Sequence, residues 1–364
     1  MLFVPMIWVA LPLLLWSAIA MGRGSPMCPT GCTCRDDVLE ASCTHAQLEY
    51  IPIQLNPDLQ HIDMSENKLQ SVGSRNFQYQ IHLHLLNISH NQISAIGKDA
   101  FKGLRTLNLT RNRIVSLHGD SLFRNLPNLQ VLILERNELV DVPSEALKSL
   151  PNHAQLSSLL LSYNLIQTLN ETSFPFPQLS NLTELLLAYN VISDIHNDVG
   201  AVSFKSLFQL RHLVLSRMPR LVSIDARAFV DNIQLENIRI SENLGNSLRT
   251  LDASHFPLDR LKVLDISENP LHCNCSLLWL WVLVRQQMKA SAKPTPRVVE
   301  NITASGVKNP DALKITLHNL KCTSPEELKM KMVGEIPEDT VRCETSWLTI
   351  AMLSATSLAL LTVF

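Results

Sequence analysis

The sequence predicts a β-rich α/β solenoid: a horseshoe of stacked parallel strands with disulfide-bonded caps at its two ends. Three observations predict it. One motif, Leu-x-x-Leu-x-Leu-x-x-Asn-x-Leu, recurs nine times at a spacing of 21 to 28 residues. Within each copy, the apolar residues of the Leu-x-Leu step alternate with a variable residue, the period-2 mark of a short half-buried strand. The eight cysteines stand four before the first copy and four after the last, with none between.

The copies begin at Leu59, Leu83, Leu104, Leu129, Leu156, Leu182, Leu210, Leu235 and Leu261, and the third is the cleanest, with Leu104, Leu107, Leu109, Asn112 and Ile114. A period in this range is that of a leucine-rich repeat solenoid. One such strand cannot bury its leucines alone and needs a neighbour on each side. Each buried Leu or Ile contributes roughly 1.5–3 kcal/mol of gross stabilisation. That offsets an ordering cost of about 1–2 kcal/mol per residue only when the repeats stack.

The Asn has a separate reason. The chain turns sharply off each strand and leaves backbone groups facing inward, and a buried amide can both donate to and accept from them. Asn67, Asn91, Asn112, Asn137, Asn164, Asn190, Asn243 and Asn269 fill this position in eight copies. The seventh has Met218, and its next apolar residue, Leu221, comes one place late. A local bulge is expected there. Phe77, Phe101, Phe123, Phe174, Phe204, Phe229 and Phe256 follow the Asn position by ten to fourteen residues and predict an aromatic spine packed on the convex side.

The expected organisation is a leader over 1–20, an N-terminal cap over 28–56, nine repeats over 57–270, a C-terminal cap over 271–343 and an apolar tail over 347–364. The leader is almost uniformly apolar and closes on Ala18-Ile19-Ala20, a small-x-small cleavage pattern. Its missing basic start leaves an uncleaved anchor as the other reading. In a secreted chain, an even number of clustered cysteines implies disulfides. Zinc is disfavoured because the close pairs are Cys-x-Cys, whereas structural zinc sites use wider spacing. Caps are needed because an open solenoid exposes its end layers.

The cysteine spacing Cys28-x₃-Cys32-x-Cys34-x₈-Cys43 resembles the N-terminal cap of extracellular leucine-rich repeat proteins. Asn269-Pro270-Leu271-His272-Cys273-Asn274-Cys275, with Leu278-Trp279-Leu280-Trp281 and Cys322-Thr323-Ser324-Pro325, resembles their C-terminal cap. With the repeats, the resemblance covers residues 28–343. It implies the pairs Cys28–Cys34, Cys32–Cys43, Cys273–Cys322 and Cys275–Cys343, where sequence alone allows three connectivities per cluster. The family includes Toll-type receptor ectodomains, cell-surface adhesion proteins and matrix proteins.

The tail from Trp347 to Phe364 is long enough to span a bilayer, and no Lys or Arg cluster and no signalling domain follows it. A lipid-attachment signal is the alternative. Its usual polar spacer of about 8–12 residues would place attachment before Cys343, so Thr345 or Ser346 could serve only with almost no spacer. Six Asn-x-Ser/Thr sequons, at Asn87, Asn108, Asn170, Asn181, Asn274 and Asn301, agree with secretion.

Read down the repeats, the variable strand position runs Asp63, Asn87, Asn108, Ile133, Leu160, Leu186, Val214, Arg239, Asp265. Its four consecutive apolar members predict a stripe about 15 Å long on the concave face, and such a stripe marks a partner site. Glu135, Glu184, Arg211 and Arg239 are its expected charged rim, with Asn87 and Asn108 fencing one side. A homophilic contact, or strand propensity alone, would leave the same pattern.

No catalytic motif is present: no Gly-x-Ser-x-Gly, no phosphate-binding loop and no His-Glu-x-x-His. Glycine is scarce, at 11 residues, and net charge is −2, which argues against a dedicated nucleic-acid surface. His61, His82 and His84 cluster near the N-terminal end and read as a solvated strand face rather than a metal site. Lys329, Lys331 and Arg342 face water or lipid headgroups. The expectation is therefore a non-enzymatic protein without cofactors on the extracellular face of the plasma membrane. It would bind a protein ligand or receptor in adhesion, or as a co-receptor without its own signalling domain. A secreted, structural matrix protein is the alternative.

Overall fold

The structure is a computed structural model, and it describes residues 27–119, 121–195, 203–226, 228–243, 248, 251–292 and 313–341. The expected leader, the apolar tail, the sequon at Asn301, Arg342 and Cys343 lie outside the described residues.

Among the described residues, twelve strands join in one sheet. Strands β1 (Thr33–Arg35) and β2 (Glu40–Ser42) form an antiparallel hairpin. Every later strand runs parallel to its neighbour. These are β3 (His61–Asp63), β4 (Leu85–Asn87), β5 (Thr106–Asn108), β6 (Val131–Ile133), β7 (Ser158–Leu160), β8 (Glu184–Leu186), β9 (His212–Val214), β10 (Asn237–Arg239), β11 (Val263–Asp265) and β12 (Lys314–Ile315). The middle residue of each repeat strand, such as Leu107, Leu132 or Leu159, is fully buried. The motif's first leucine and the apolar residue after the strand are buried with it, so three apolar side chains per repeat enter one continuous core.

The Asn column joins successive repeats. Asn137 donates from Nδ2 to Leu109 O of the preceding repeat and to Leu134 O of its own, at 3.0 and 3.1 Å. Its Oδ1 accepts from Ile114 N–H at 3.1 Å. Asn67, Asn91, Asn112 and Asn164 repeat this arrangement. One amide thus satisfies inward-facing groups on two turns that no water can reach.

The irregular seventh repeat corrects one expectation. Its strand carries no bulge: β9 pairs in unbroken register with β8 and β10. The extra residue is taken up beyond the strand, in a turn closed by the Leu221 N–H to Met218 O bond at 3.2 Å. Met218 is fully buried, and its N–H donates to Asn243 Oδ1. A turn accommodates the residue more cheaply than the ladder, where an insertion would leave backbone groups unpaired.

The seven phenylalanines are buried. Phe174, Phe204 and Phe229 stack with centroids 5.8 and 5.9 Å apart, and Phe256 meets Trp279 at 5.8 Å. The fourth repeat has no phenylalanine here. Its short helix α1 (Ser144–Lys148) places buried Leu147 ten residues past Asn137, at the spine spacing.

Both ends are closed covalently. Cys28 is bonded to Cys34 and Cys32 to Cys43, which staples the β1–β2 hairpin over the first repeat. At the other end Cys273 is bonded to Cys322. Cys275 is also disulfide-bonded. Helix α2 (Leu278–Ala292) lies over the last layer, anchored where Trp279 Nε1 donates to Leu251 O at 3.1 Å and Trp281 Nε1 to Ile336 O at 2.9 Å. Disulfides of this kind form and persist in oxidising compartments, so the caps point to the secretory pathway. No helix among the described residues is long and apolar enough to cross a membrane.

Candidate functional site

The parallel ladder decides which side chains share a row on the concave face. Register places Asn108, Ile133, Leu160, Leu186, Val214 and Arg239 side by side on successive strands. The four apolar members are contiguous, and each is half-buried rather than fully exposed. Their neighbours on the adjacent rungs shield part of each side chain, so the stripe is shallower than the sequence suggests.

The polar members of the same row do a local job. Asp63, Asn87, Asn108 and Asp265 each accept, through a side-chain oxygen, the backbone N–H two residues on, at 2.8, 3.2, 3.0 and 3.2 Å. These Asx turns brace the chain as it leaves the strand. Asn87 Nδ2 also reaches Asp63 Oδ2 at 3.1 Å. Ile133, Leu160, Leu186 and Val214 have no such oxygen, so nothing in turn geometry requires them to be there.

The expected rim is unevenly engaged. Arg211 pairs with Glu236 at 2.9 Å, and Lys262 reaches the same carboxylate at 2.9 Å. The Lys262 hydrogen bond is the main reason the Glu236 carboxyl titrates below its ordinary range. Arg239 is exposed, and Glu184 opens β8 half-buried. Glu135 is half-buried, and burial raises its carboxyl above the ordinary range, with the Glu184 charge adding to the rise. A hydrogen bond with Ser162 and the Arg136 charge work against that rise. The histidines gather as well: burial lowers His84, helped by Arg105, His61 and His82. Among the described residues, no group of three His, Cys, Asp or Glu side chains is placed to hold a metal ion.

Sequence reasoning missed a second row. The residue just before each Asn position adopts the left-handed conformation in all nine repeats: Glu66, His90, Arg111, Arg136, Tyr163, Tyr189, Arg217, Glu242 and Glu268, with φ between 53° and 59°. None is glycine, although the conformation costs an L-residue about 1–2 kcal/mol. The strain throws each side chain into one column beside the concave face. In its middle the Tyr163 and Tyr189 rings stack at 3.9 Å, 13° from parallel. Arg136 covers the outer face of Tyr163 at 3.9 Å and Arg217 that of Tyr189 at 5.0 Å. Glu242 closes one end as an ion pair with Arg217, which holds that guanidinium more firmly charged. A hydrogen bond with Tyr163 raises the Tyr189 hydroxyl above its ordinary pKa. The signal was available as a Tyr, Tyr, Arg run at one register position, but without the turn conformation nothing marked that position as outward.

The sequons fall in different settings. Asn170 and Asn181 are exposed, whereas Asn87, Asn108 and Asn274 are half-buried. Asn274 caps the turn that leads into α2, accepting from Ser276 N–H at 3.0 Å.

The family model described as "Leucine rich repeat" matches residues 57–114 and 102–157, and "BspA type Leucine rich repeat region (6 copies)" matches residues 172–272. The human (Homo sapiens) "Leucine-rich repeat-containing protein 3B" is 37% identical over 109 residues, 29% of this chain and 42% of that protein. The chain thus spans about two fifths of the length of the curated relatives it matches first. Human 5T4 (Wnt-activated inhibitory factor 1, trophoblast glycoprotein) superposes with a TM-score of 0.54 at 18% identity, covering 88% of this chain and 99% of that one, a likeness of fold alone. The Toll chain of the Drosophila Toll–Spatzle complex gives a TM-score of 0.55 at 25% identity, over 78% of this chain and 36% of that one.

Proposed function

The chain belongs to the leucine-rich repeat proteins, a non-enzymatic family, here with disulfide-bonded caps at both ends, and from that premise we propose that it is a cell-surface binding module. It recognises another protein through its concave face, in adhesion or as a co-receptor, and the 347–364 tail holds it at the membrane. The observation that carries this reading is the in-register row Ile133, Leu160, Leu186, Val214, bounded along the row by polar Asn108 and Arg239. Such a row supplies the dry centre of an interface, and Glu135, Glu184, Arg211 and Arg239 supply its wet rim. The Toll chain it resembles in fold was solved as a complex with Spatzle, which supports a binding role for this architecture.

The test is a paired variant, Leu160→Asp with Leu186→Asp, displayed as the full chain on cells and compared with the parent by proximity labelling. Half-buried positions tolerate the change in the fold, so normal secretion is expected together with loss of the labelled extracellular partners. Identical labelling at equal surface level would remove the concave face from the proposal. Phospholipase release separates a lipid anchor from a helix, and recovery in medium without detergent would favour the matrix alternative.

A further inference from the structure

Each acid of the left-handed column has a basic partner. Glu66 pairs with His45, Glu242 with Arg217, and Glu268 lies 3.8 Å from His318. Arg111 and Arg136 occupy adjacent rungs, joined where Arg111 N–H donates to Glu135 O at 3.0 Å. Both are exposed, and among the described residues neither makes an ion pair. Glu135, the acid nearest Arg136 in sequence, is engaged with Ser162. Like charges on neighbouring rungs oppose folding, and for Arg136 only the Tyr163 ring and the nearby Glu135 charge work against that cost. The ladder therefore has one end closed by a carboxylate at Arg217 and a matching end left open at Arg136.

We propose that the open Arg111–Arg136 end docks an acidic segment of a partner protein, whose carboxylates stand at Arg136 as Glu242 stands at Arg217. This deepens the concave-face reading and rests on it, because the column runs along the border of the apolar row: Tyr163 is three residues past Leu160 and Tyr189 three past Leu186. Stacking on Tyr163 holds the Arg136 guanidinium flat, with its N–H edge free for a two-point bond to a carboxylate. On an extended segment, acidic residues two apart are about 6.7 Å from one another, within reach of two arginines on rungs about 4.8 Å apart. The apolar row then takes the partner's apolar side chains, and the arginine pair sets its direction and speeds its approach.

The probe is a short oligoglutamate peptide, offered at low salt to the full chain, with an oligolysine peptide as control. Expected is capture of oligoglutamate alone, weakened about tenfold or more by Arg111→Glu with Arg136→Glu, and to a lesser degree by Arg111→Gln with Arg136→Gln. Arg124→Glu, at an exposed arginine already paired with Asp99, should leave it unchanged. Absent capture, equal capture of oligolysine, or capture unaffected by the paired variants would overturn the proposal. So would binding of a sulfated polysaccharide in place of the peptide, which would assign the arginines to a carbohydrate. Partner labelling lost in the Leu160→Asp, Leu186→Asp variant alongside any of these outcomes would leave the concave-face reading standing and remove only the acidic partner.

Discussion

The side-chain amide of Gln287 closes the last edge of the sheet by copying a strand. Its Oε1 accepts from Ile315 N–H and its Nε2 donates to Ile315 O, both at 2.8 Å. An open parallel edge is a template for pairing with another chain, and helix α2 answers it with one residue. Gln287→Ala removes both bonds, at a cost of about 1–3 kcal/mol. The Ile315 amide should then exchange its hydrogen much faster while amides of β5 to β8 are unchanged. Exchange unaltered at Ile315 would show that the edge is closed by something else.

Replacing Asn137 should loosen the stack locally. Asn137→Ala strands Ile114 N–H in a dry interior and leaves Leu109 O and Leu134 O with only the amides of Asn112 and Asn164, and about 1–3 kcal/mol of destabilisation is expected. Because each repeat contacts only its neighbours, protection should fall first around β5 and β6. The check is hydrogen exchange mapped along the solenoid, with thermal unfolding alongside. A uniform loss over all repeats would show a single cooperative unit instead.

Glu135 gives a pH signature. Its carboxyl is raised in the folded chain, so the native state holds that proton more tightly than the unfolded chain. The associated stability is present below the ordinary range near pH 4.5 and is lost as pH rises through the raised value. Glu135→Gln should therefore be more stable than the parent at pH 7, with the gap closing below about pH 4. Parallel stability curves for the two proteins would remove burial as the dominant effect on this group.

Glycan occupancy should follow exposure. Asn170 and Asn181 stand on the open surface, while Asn87, Asn108 and Asn274 are half-buried. Peptide mapping of the secreted chain is expected to find Asn170 and Asn181 most fully occupied. The same map, run without reduction, should join Cys275 to Cys343. Free Cys343 thiol, or a sparsely occupied Asn170, would contradict the respective expectation.

The strands were legible because burial in this fold is strictly periodic. Leu104, Leu107 and Leu109 are recognisable wherever they recur, and so is the Asn that bonds the turn behind them. The irregular repeat was legible as an irregularity, but not in kind. Whether one extra residue enters the Met218–Leu221 turn or the strand depends on what the neighbouring rungs require. The concave row could be named residue by residue, since register in a parallel stack follows from the repeat spacing. Its depth could not, because exposure is set by side chains on the flanking rungs.

What the amino-acid order alone determined is the stack: which residues enter the core, which amide holds each turn, and which residues line the inner sheet. Only the tertiary structure decided that Arg136, Tyr163, Tyr189, Arg217 and Glu242 form one column. Their side chains meet because each preceding turn takes a left-handed backbone at a non-glycine residue. That conformation is imposed by the packed Asn column and carries no mark in the residue that adopts it.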